Sequence, residues 1–101
     1  MRMLIVGMNS VSIVGQVTGE PELRTNRAGI PECRMRLAVP RYARSGQREP
    51  GVVYVSVTTF GAEAEECAER LGEGSRLGLS GRLDSDEPEW SGVSIDQLDF
   101  L

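Results

Sequence analysis

The stretch Gly51–Phe60, GVVYVSVTTF, decides how the rest of the chain folds. Its apolar residues alternate with a period of two, which is typical of a half-buried β-strand rich in β-branched residues. One face carries three valines, Val53, Val55 and Val57. The other face carries Tyr54 and Phe60 among small hydroxyl residues. Because large rings are unfavourable in water, these two either pack beneath another element or form a platform for a flat ligand such as a nucleic-acid base.

Length and composition favour one small β domain without a metal or cofactor. The chain has 101 residues and 12 glycines, and its strand-like runs are short, as in small all-β proteins. There is no histidine and no CxxC pair, so a Cys–His zinc site is excluded. A disulfide between Cys33 and Cys67 is geometrically possible, but two buried thiols are expected in a cytosolic protein. No Gly-rich phosphate loop and no nucleophile beside a base are evident, so we do not expect an enzyme. No apolar run is long enough for a signal peptide or membrane span, which favours a cytoplasmic protein without a membrane partner.

Charge is divided unevenly along the chain. The net charge is −4, yet residues 21–48 hold seven arginines against two glutamates, whereas residues 49–101 hold three arginines against twelve acids. Every basic residue is arginine, which can stack on bases as well as pair with phosphates. An all-arginine set is equally consistent with a coding bias. The distribution therefore permits a polyanionic partner on one side of the molecule only.

The sequence predicts five strands, one of them Gly51–Phe60, and one helix. The predicted strands are Ser10–Thr18, Pro31–Val39, Gly51–Phe60, Gly74–Leu83 and Val93–Phe100. The segment Ala62–Leu71 has apolar residues at helical spacing and glutamates on its other face, which we interpret as a solvated helix face. Gly15 lies in mid-strand, where a bend or a close backbone approach is expected. A shift of the inward period in the last strand predicts a bulge near Gln97.

The order of these elements matches a known small barrel. Three strands, a helix and two more strands, with glycines where strands must bend, predict the all-β, five-stranded Greek-key OB-fold with one helix between strands 3 and 4. Three segments are predicted as connections: a turn at Arg24–Gly29, a long loop at Pro40–Pro50 and an acidic loop at Asp84–Gly92. We take residues 1–101 as one such domain, with residues 1–7 as an extension and Met8 as an alternative start.

Several arginines are predicted on exposed surfaces. Arg34 and Arg36 lie two residues apart on the outward face of the second strand, where they either blunt a solvated strand edge or contact phosphates and bases. The loop Pro40–Pro50 interleaves basic residues with one aromatic, Tyr42, which suits a flexible polyanion, although a merely soluble loop is also consistent with it. The remaining candidates for phosphate contact are Arg41, Arg44 and Arg48 in this loop and Arg76 and Arg82 in the fourth strand.

From Met8 to the end, the chain resembles the bacterial single-stranded DNA-binding proteins. The segments that carry the resemblance are MNSVSIVGQVTGEPELR, RMRLAV and TTFGAEAEECAERLGEGSRLGLSGRL. It implies a sequence-tolerant single-stranded DNA-binding protein of replication, recombination or repair, associated with the nucleoid and assembled as a tetramer or dimer. It also implies that bases stack on four of the chain's five aromatics, Tyr42, Tyr54, Phe60 and Trp90.

Two departures from the family pattern bear on these expectations. The family usually continues into a disordered linker with an acidic tip that recruits replication and repair proteins, whereas this chain stops at Leu101, as in a trimmed or tailless form. The segment that carries Trp90 is acidic, which should weaken phosphate binding there. A second hypothesis is therefore an OB-fold interaction module of a replication-restart (primosomal) or conjugation complex, in which the aromatic face meets protein.

Overall fold

A closed five-stranded barrel forms the body of the molecule in a computed structural model, which describes residues 6–87 and 90–101. The elements are β1 Val11–Thr25, β2 Pro31–Tyr42, β3 Arg48–Phe60, α1 Ala62–Arg70, β4 Arg76–Glu87 and β5 Trp90–Phe100. The strand order around the barrel is β1-β2-β3-β5-β4. The predicted OB-fold barrel, with its helix between strands 3 and 4, is confirmed.

Strand β1 is shared between two neighbours, and this lets the sheet curl into a barrel. Its first half pairs with β4, from Val11 opposite Gly81 to Gln16 opposite Arg76, and its second half pairs with β2. At the change of partner, a Cβ on Gly15 would lie 3.0 Å from the carbonyl oxygen of Ala38. The predicted close approach at Gly15 is therefore confirmed, because a side chain there would press on the neighbouring backbone.

The barrel closes through a short parallel contact. All strand pairs are antiparallel except β3 with β5, where Val57 pairs with Val93 and Thr58 with Ser94. A Cβ on Gly92 would lie only 2.2 Å from the carbonyl oxygen of Ser56. Glycine at this position allows β5 to come close enough to β3 to complete the barrel.

The inward faces of the strands and one face of α1 supply the core. Its buried apolar residues are Val17, Cys33, Met35, Leu37, Val57, Ala64, Cys67, Leu71, Leu77, Leu79, Val93 and Ile95. Both thiols are free and buried, as predicted. Burial raises the pKa of Cys33 from 9.0 to about 11, and burial, with the nearby Cys33 as a lesser cause, raises the pKa of Cys67 to about 12. Both thiols are therefore protonated and inert at neutral pH.

Three connections are shorter than the sequence predicted. Strand β1 continues to Thr25, and a tight turn follows, in which the Asn26 carboxamide oxygen accepts hydrogen bonds from the backbone N–H groups of Ala28 and Ile30. The ends of the predicted Pro40–Pro50 loop are strand, which leaves a five-residue connection at 43–47. Most of the predicted Asp84–Gly92 loop is likewise strand. The β2–β3 hairpin projects beyond the core, with Val52 and Val53 40% and 50% exposed, so its ladder forms without the burial pattern by which strands are recognised in sequence.

A bulge interrupts the pairing of β4 with β5. Ser80 pairs with Gln97 and the next residue, Gly81, pairs with Ile95, so Asp96 is the extra residue. The predicted bulge near Gln97 is confirmed. It explains the shift of the inward face from Val93 and Ile95 to alternate residues farther along the strand.

An asparagine side chain extends the pairing of β1 with β4 to a point two residues beyond Val11. The Asn9 carboxamide donates a hydrogen bond to the Leu83 carbonyl oxygen at 2.9 Å and accepts one from the Leu83 N–H at 2.8 Å. In the register of β1 on β4, residue 9 stands opposite residue 83, so the side chain replaces the main chain in the ladder.

Within residues 6–87 and 90–101, no helix combines the length and the apolar character that crossing a membrane requires.

Candidate nucleic-acid interface

The outward side of the β2–β3 ladder carries four of the residues predicted to meet nucleic acid, Arg34, Arg36, Tyr54 and Phe60. Because side chains alternate between faces along a strand, partners at every second position share one surface. We call this surface the outer ladder; from one end to the other its cross-strand pairs are Glu32–Phe60, Arg34–Thr58, Arg36–Ser56, Ala38–Tyr54 and Pro40–Val52.

Tyr54 is the most accessible predicted stacking residue on the outer ladder, with 55% of its surface exposed. Its cross-strand partner, Ala38, is small and leaves the ring open on that side. The Arg36 guanidinium carbon lies over the ring, 5.1 Å from its centroid, within the range of a cation–π interaction. Tyr54 does not pack beneath another element, and an exposed ring with a cation in contact suits a nucleic-acid base and its phosphate.

Phe60 lies at the far end of the same face. It is half-buried and six residues from Tyr54, which corresponds to about 20 Å along a strand. Between the two rings lie Ser56, which is partly exposed, and Thr58, which is buried. The Tyr54 end of the outer ladder is therefore open to solvent, whereas the residues beside Phe60 are largely covered.

Beyond Tyr54, the surface continues into a groove of about 700 Å³ that collects three further predicted residues. Tyr42, Arg48 and Arg76 line it, together with apolar residues of β1 and β2. Tyr42 is 61% exposed and pairs with Arg48 across the hairpin. Ala38 and Val52 belong to both the groove and the outer ladder, so the two surfaces are continuous.

Arg34 departs from the prediction that it faces solvent. Its Nε donates a hydrogen bond to Glu32 Oε1 at 2.9 Å, and both side chains are buried, with 9% and 3% of their surface exposed. Thr58, its cross-strand partner, is also buried. The exposure predicted for Arg34 is wrong, because the long side chain lies along the sheet onto the carboxylate two residues away instead of projecting from it.

Two other arginines that were predicted to contact phosphate are exposed but form ion pairs with carboxylates. Arg82 makes two bonds with Asp96, Nη2 to Oδ1 at 3.1 Å and Nε to Oδ2 at 3.2 Å. Arg41 Nη2 lies 3.3 Å from Glu49 Oε2 across the β2–β3 hairpin. Neither ion pair could be predicted from the sequence, because the two residues of each pair lie on different strands and only the strand pairing brings them together.

The remaining predicted residues differ in position. Arg44 is exposed in the connection between β2 and β3. Arg48 donates hydrogen bonds to the backbone carbonyl oxygens of Glu49 and Gly51, which hold its side chain at the base of that hairpin. The backbone of Trp90 begins β5 opposite Glu87, but its ring lies outside the described side chains.

Comparison with known proteins places the chain in a family. Residues 8–95 match the model of the Single-strand binding protein family. The chain belongs to this family. The match covers all five strands of the barrel except the end of β5, so the resemblance noted in the sequence is confirmed.

Three relatives in the single-strand binding protein family illustrate the extent of similarity. Single-stranded DNA-binding protein 1 of Staphylococcus aureus (strain MSSA476) is 34% identical over 76 residues, which is 75% of this chain and 49% of the relative. Single-stranded DNA-binding protein 3 of Listeria innocua is 37% identical over 76 residues, 75% of this chain and 48% of the relative. The Single-stranded DNA-binding protein of Thermosynechococcus vestitus is 30% identical over 92 residues, 91% of this chain and 73% of the relative. The chain thus spans about half the length of the first two.

Proposed function

We propose that this chain binds single-stranded DNA with little sequence preference, as part of replication, recombination or repair at the nucleoid. The observation that carries the proposal is the exposed ring of Tyr54, in contact with the Arg36 guanidinium, on an outward surface that continues into the groove. The names of the family relatives, which describe single-stranded DNA-binding proteins, support it. No catalytic step is proposed.

In this proposal, the rings bind bases and the arginines bind the backbone. The stacking residues are Tyr42, Tyr54, Phe60 and Trp90. The phosphate contacts are Arg36, Arg41, Arg44, Arg48, Arg76 and Arg82. Stacking on an aromatic contributes about 1–3 kcal/mol per base and tolerates any sequence, because every base has a π-face.

The acidic residues of the second half of the sequence restrict a bound DNA strand to one side of the molecule. Glutamates cover the outward face of α1, where Glu63, Glu65, Glu66 and Glu69 are exposed or partly exposed. A polyanion is repelled there and attracted to the arginines of the outer ladder and groove. A net charge of −4 is therefore compatible with DNA binding, because the local potential and not the sum guides the strand.

A fluorescence titration tests the proposal. The intrinsic fluorescence of Trp90 is followed while oligo-dT or a duplex of equal length is added, at low and at physiological salt. We expect quenching by the single strand, weaker at higher salt, and little change with the duplex. Equal binding of the two forms, or no binding of oligo-dT at low salt, would contradict the proposal.

A second candidate function uses the same surface against protein. The groove has an apolar side, and Val14 on its wall is 56% exposed, which suits assembly into a dimer or tetramer or a partner in a replication-restart or conjugation complex. Size-exclusion chromatography with light scattering measures the assembly. A protein partner that displaces oligo-dT, or binds where no oligo-dT binding is found, would favour the interaction module over the DNA-binding function.

A further inference from the structure

We propose that the Asp96 carboxylate competes with DNA phosphate for Arg82, so that DNA binds there when a phosphate replaces the carboxylate. This inference rests on the proposed single-stranded DNA-binding function. It assigns to Asp96 a role as a positioning residue that sets the affinity and the salt dependence of the site.

Arg82 lies on the same outward surface as the outer ladder. Across the sheet, Thr58 of β3 pairs with Ser94 of β5, and Ser94 pairs with Arg82 of β4. Partners in a ladder point to the same face, and neighbouring strands lie about 4.8 Å apart. Arg82 is therefore about 10 Å from the ladder edge at Thr58, within the width that an extended strand lying on this face would cover.

The contact between Arg82 and Asp96 has the geometry of a phosphate contact. Two N–H donors of the guanidinium fork, Nε and Nη2, each meet one carboxylate oxygen at 3.2 and 3.1 Å. The same fork binds two phosphate oxygens in the same way. A carboxylate and a phosphate therefore cannot occupy these donors together.

The bulge in β5 places Asp96 at this position. Asp96 is the extra residue between Ile95 and Gln97, two residues after Ser94, the direct partner of Arg82. Such a diagonal cross-strand separation is within reach of a long side chain.

The pair is suited to exchange because it is exposed. Arg82 and Asp96 side chains are 60% and 46% exposed, so the pair contributes little to folding stability and opens readily. When phosphate takes Arg82, the Asp96 carboxylate is left in solvent beside the strand and attracts a cation. Ion release at this contact is therefore smaller than for an arginine that has no carboxylate to lose.

Three variants test the exchange by oligo-dT titration over a range of salt concentrations. Asp96→Asn removes the competing charge at constant size. Asp99→Asn, on the same strand, removes an exposed charge away from Arg82. Glu66→Gln breaks another exposed arginine–carboxylate pair, the one with Arg70 on α1. We expect Asp96→Asn to tighten binding about two- to five-fold, an effect of the size that exposed ion pairs produce, and to steepen the slope of log K against log salt by about 0.7.

A double-mutant cycle with Arg82→Ala identifies the arginine through which Asp96 acts. We expect the gain from Asp96→Asn to vanish in the Arg82→Ala background, whereas a gain that persists there would overturn the inference. Equal gains from Asp96→Asn, Asp99→Asn and Glu66→Gln would also overturn it, because they would show a general effect of net charge. Melting temperatures confirm that each variant is folded. If the unaltered protein shows no binding of oligo-dT, the proposed function fails; if it binds and the cycle is additive, only this inference fails.

Discussion

At the scale of single residues, the exposure of a ring on the outer ladder depends on its cross-strand partner. Tyr54 faces Ala38, and this small partner leaves the ring exposed while the Arg36 guanidinium lies over it. The alternation of the sequence was sufficient to place Tyr54 outward. It was not sufficient for Arg34, which has the same parity as Arg36 but is buried against Glu32, because side-chain direction beyond Cβ depends on neighbours that periodicity does not identify.

Replacing Tyr54 tests the stacking role. We expect Tyr54→Ala to weaken oligo-dT binding about 5- to 150-fold, which corresponds to the loss of one stacked base at about 1–3 kcal/mol, without unfolding the protein. Tyr54→Phe keeps the ring and should bind nearly as tightly as the unaltered chain. Val53→Ala is a matched control, because Val53 is similarly exposed on the opposite face of β3. A titration curve for Tyr54→Ala that overlays that of Val53→Ala would rule out stacking at this position.

The two buried thiols make stability depend on alkaline pH. The folded pKa values, about 11 for Cys33 and about 12 for Cys67, exceed the ordinary value of 9.0. The unfolded chain therefore loses protons first as pH rises, and the stabilisation is present below pH 9 and lost between pH 9 and the folded values. We expect the free energy of unfolding, measured by urea titration, to decline above pH 9, with Cys67→Ala showing a shallower decline by up to about 1.4 kcal/mol per pH unit. Identical pH profiles for the two proteins would contradict this.

At the scale of elements, the strands were predictable where they border the core and not where they project beyond it. Val57 and Leu37 are fully buried, and their alternation marks β3 and β2 in the sequence. At the other end of β3, Val53 is half exposed because the hairpin has left the barrel. The ladder there is fixed by backbone pairing and by Gly51, whose φ of 89° accommodates the register shift between Pro40 and Arg41.

Closure of the barrel between β3 and β5 is sensitive to one methyl group. We expect Gly92→Ala to reduce the free energy of unfolding by about 1–3 kcal/mol, the usual range for overpacking, because its Cβ would collide with the Ser56 carbonyl. Gly78→Ala is the matched control, since a Cβ there would make only ordinary contacts at 3.7 and 3.8 Å. Denaturant unfolding of both variants measures the difference. A stability loss for Gly78→Ala as large as that for Gly92→Ala would show that the barrel does not depend on this close approach.

At the scale of the whole molecule, the chain combines an acidic total with a basic surface. The fold places most of the arginines of residues 21–48 on β2 and its hairpin with β3, and the acids after residue 49 largely on α1 and the β4–β5 segment. This division was visible in the sequence. The pairing of Arg41 with Glu49 and of Arg82 with Asp96 was not, because each pair joins residues from different strands.

The salt dependence of binding measures how many of these arginines meet phosphate. Six arginines are proposed as contacts, so the slope of log K against log salt for oligo-dT should be no steeper than about −4, at roughly −0.7 per neutralised phosphate. Carboxylate partners at Arg41 and Arg82 should bring it nearer to −3. Titrations at several salt concentrations give the slope. A slope near zero would indicate that phosphate contacts contribute little, and a much steeper one would require additional cations.

The Asn9–Leu83 contact has a consequence for how copies of the protein meet. Beyond the end of β1, the main-chain N–H and carbonyl groups at the edge of β4 would otherwise be unpaired. Unpaired edge groups can pair with a β-segment of another molecule and lead to aggregation. The Asn9 carboxamide already satisfies both main-chain groups of Leu83. These main-chain groups are therefore not available to pair with a β-segment of another molecule at this point of the edge.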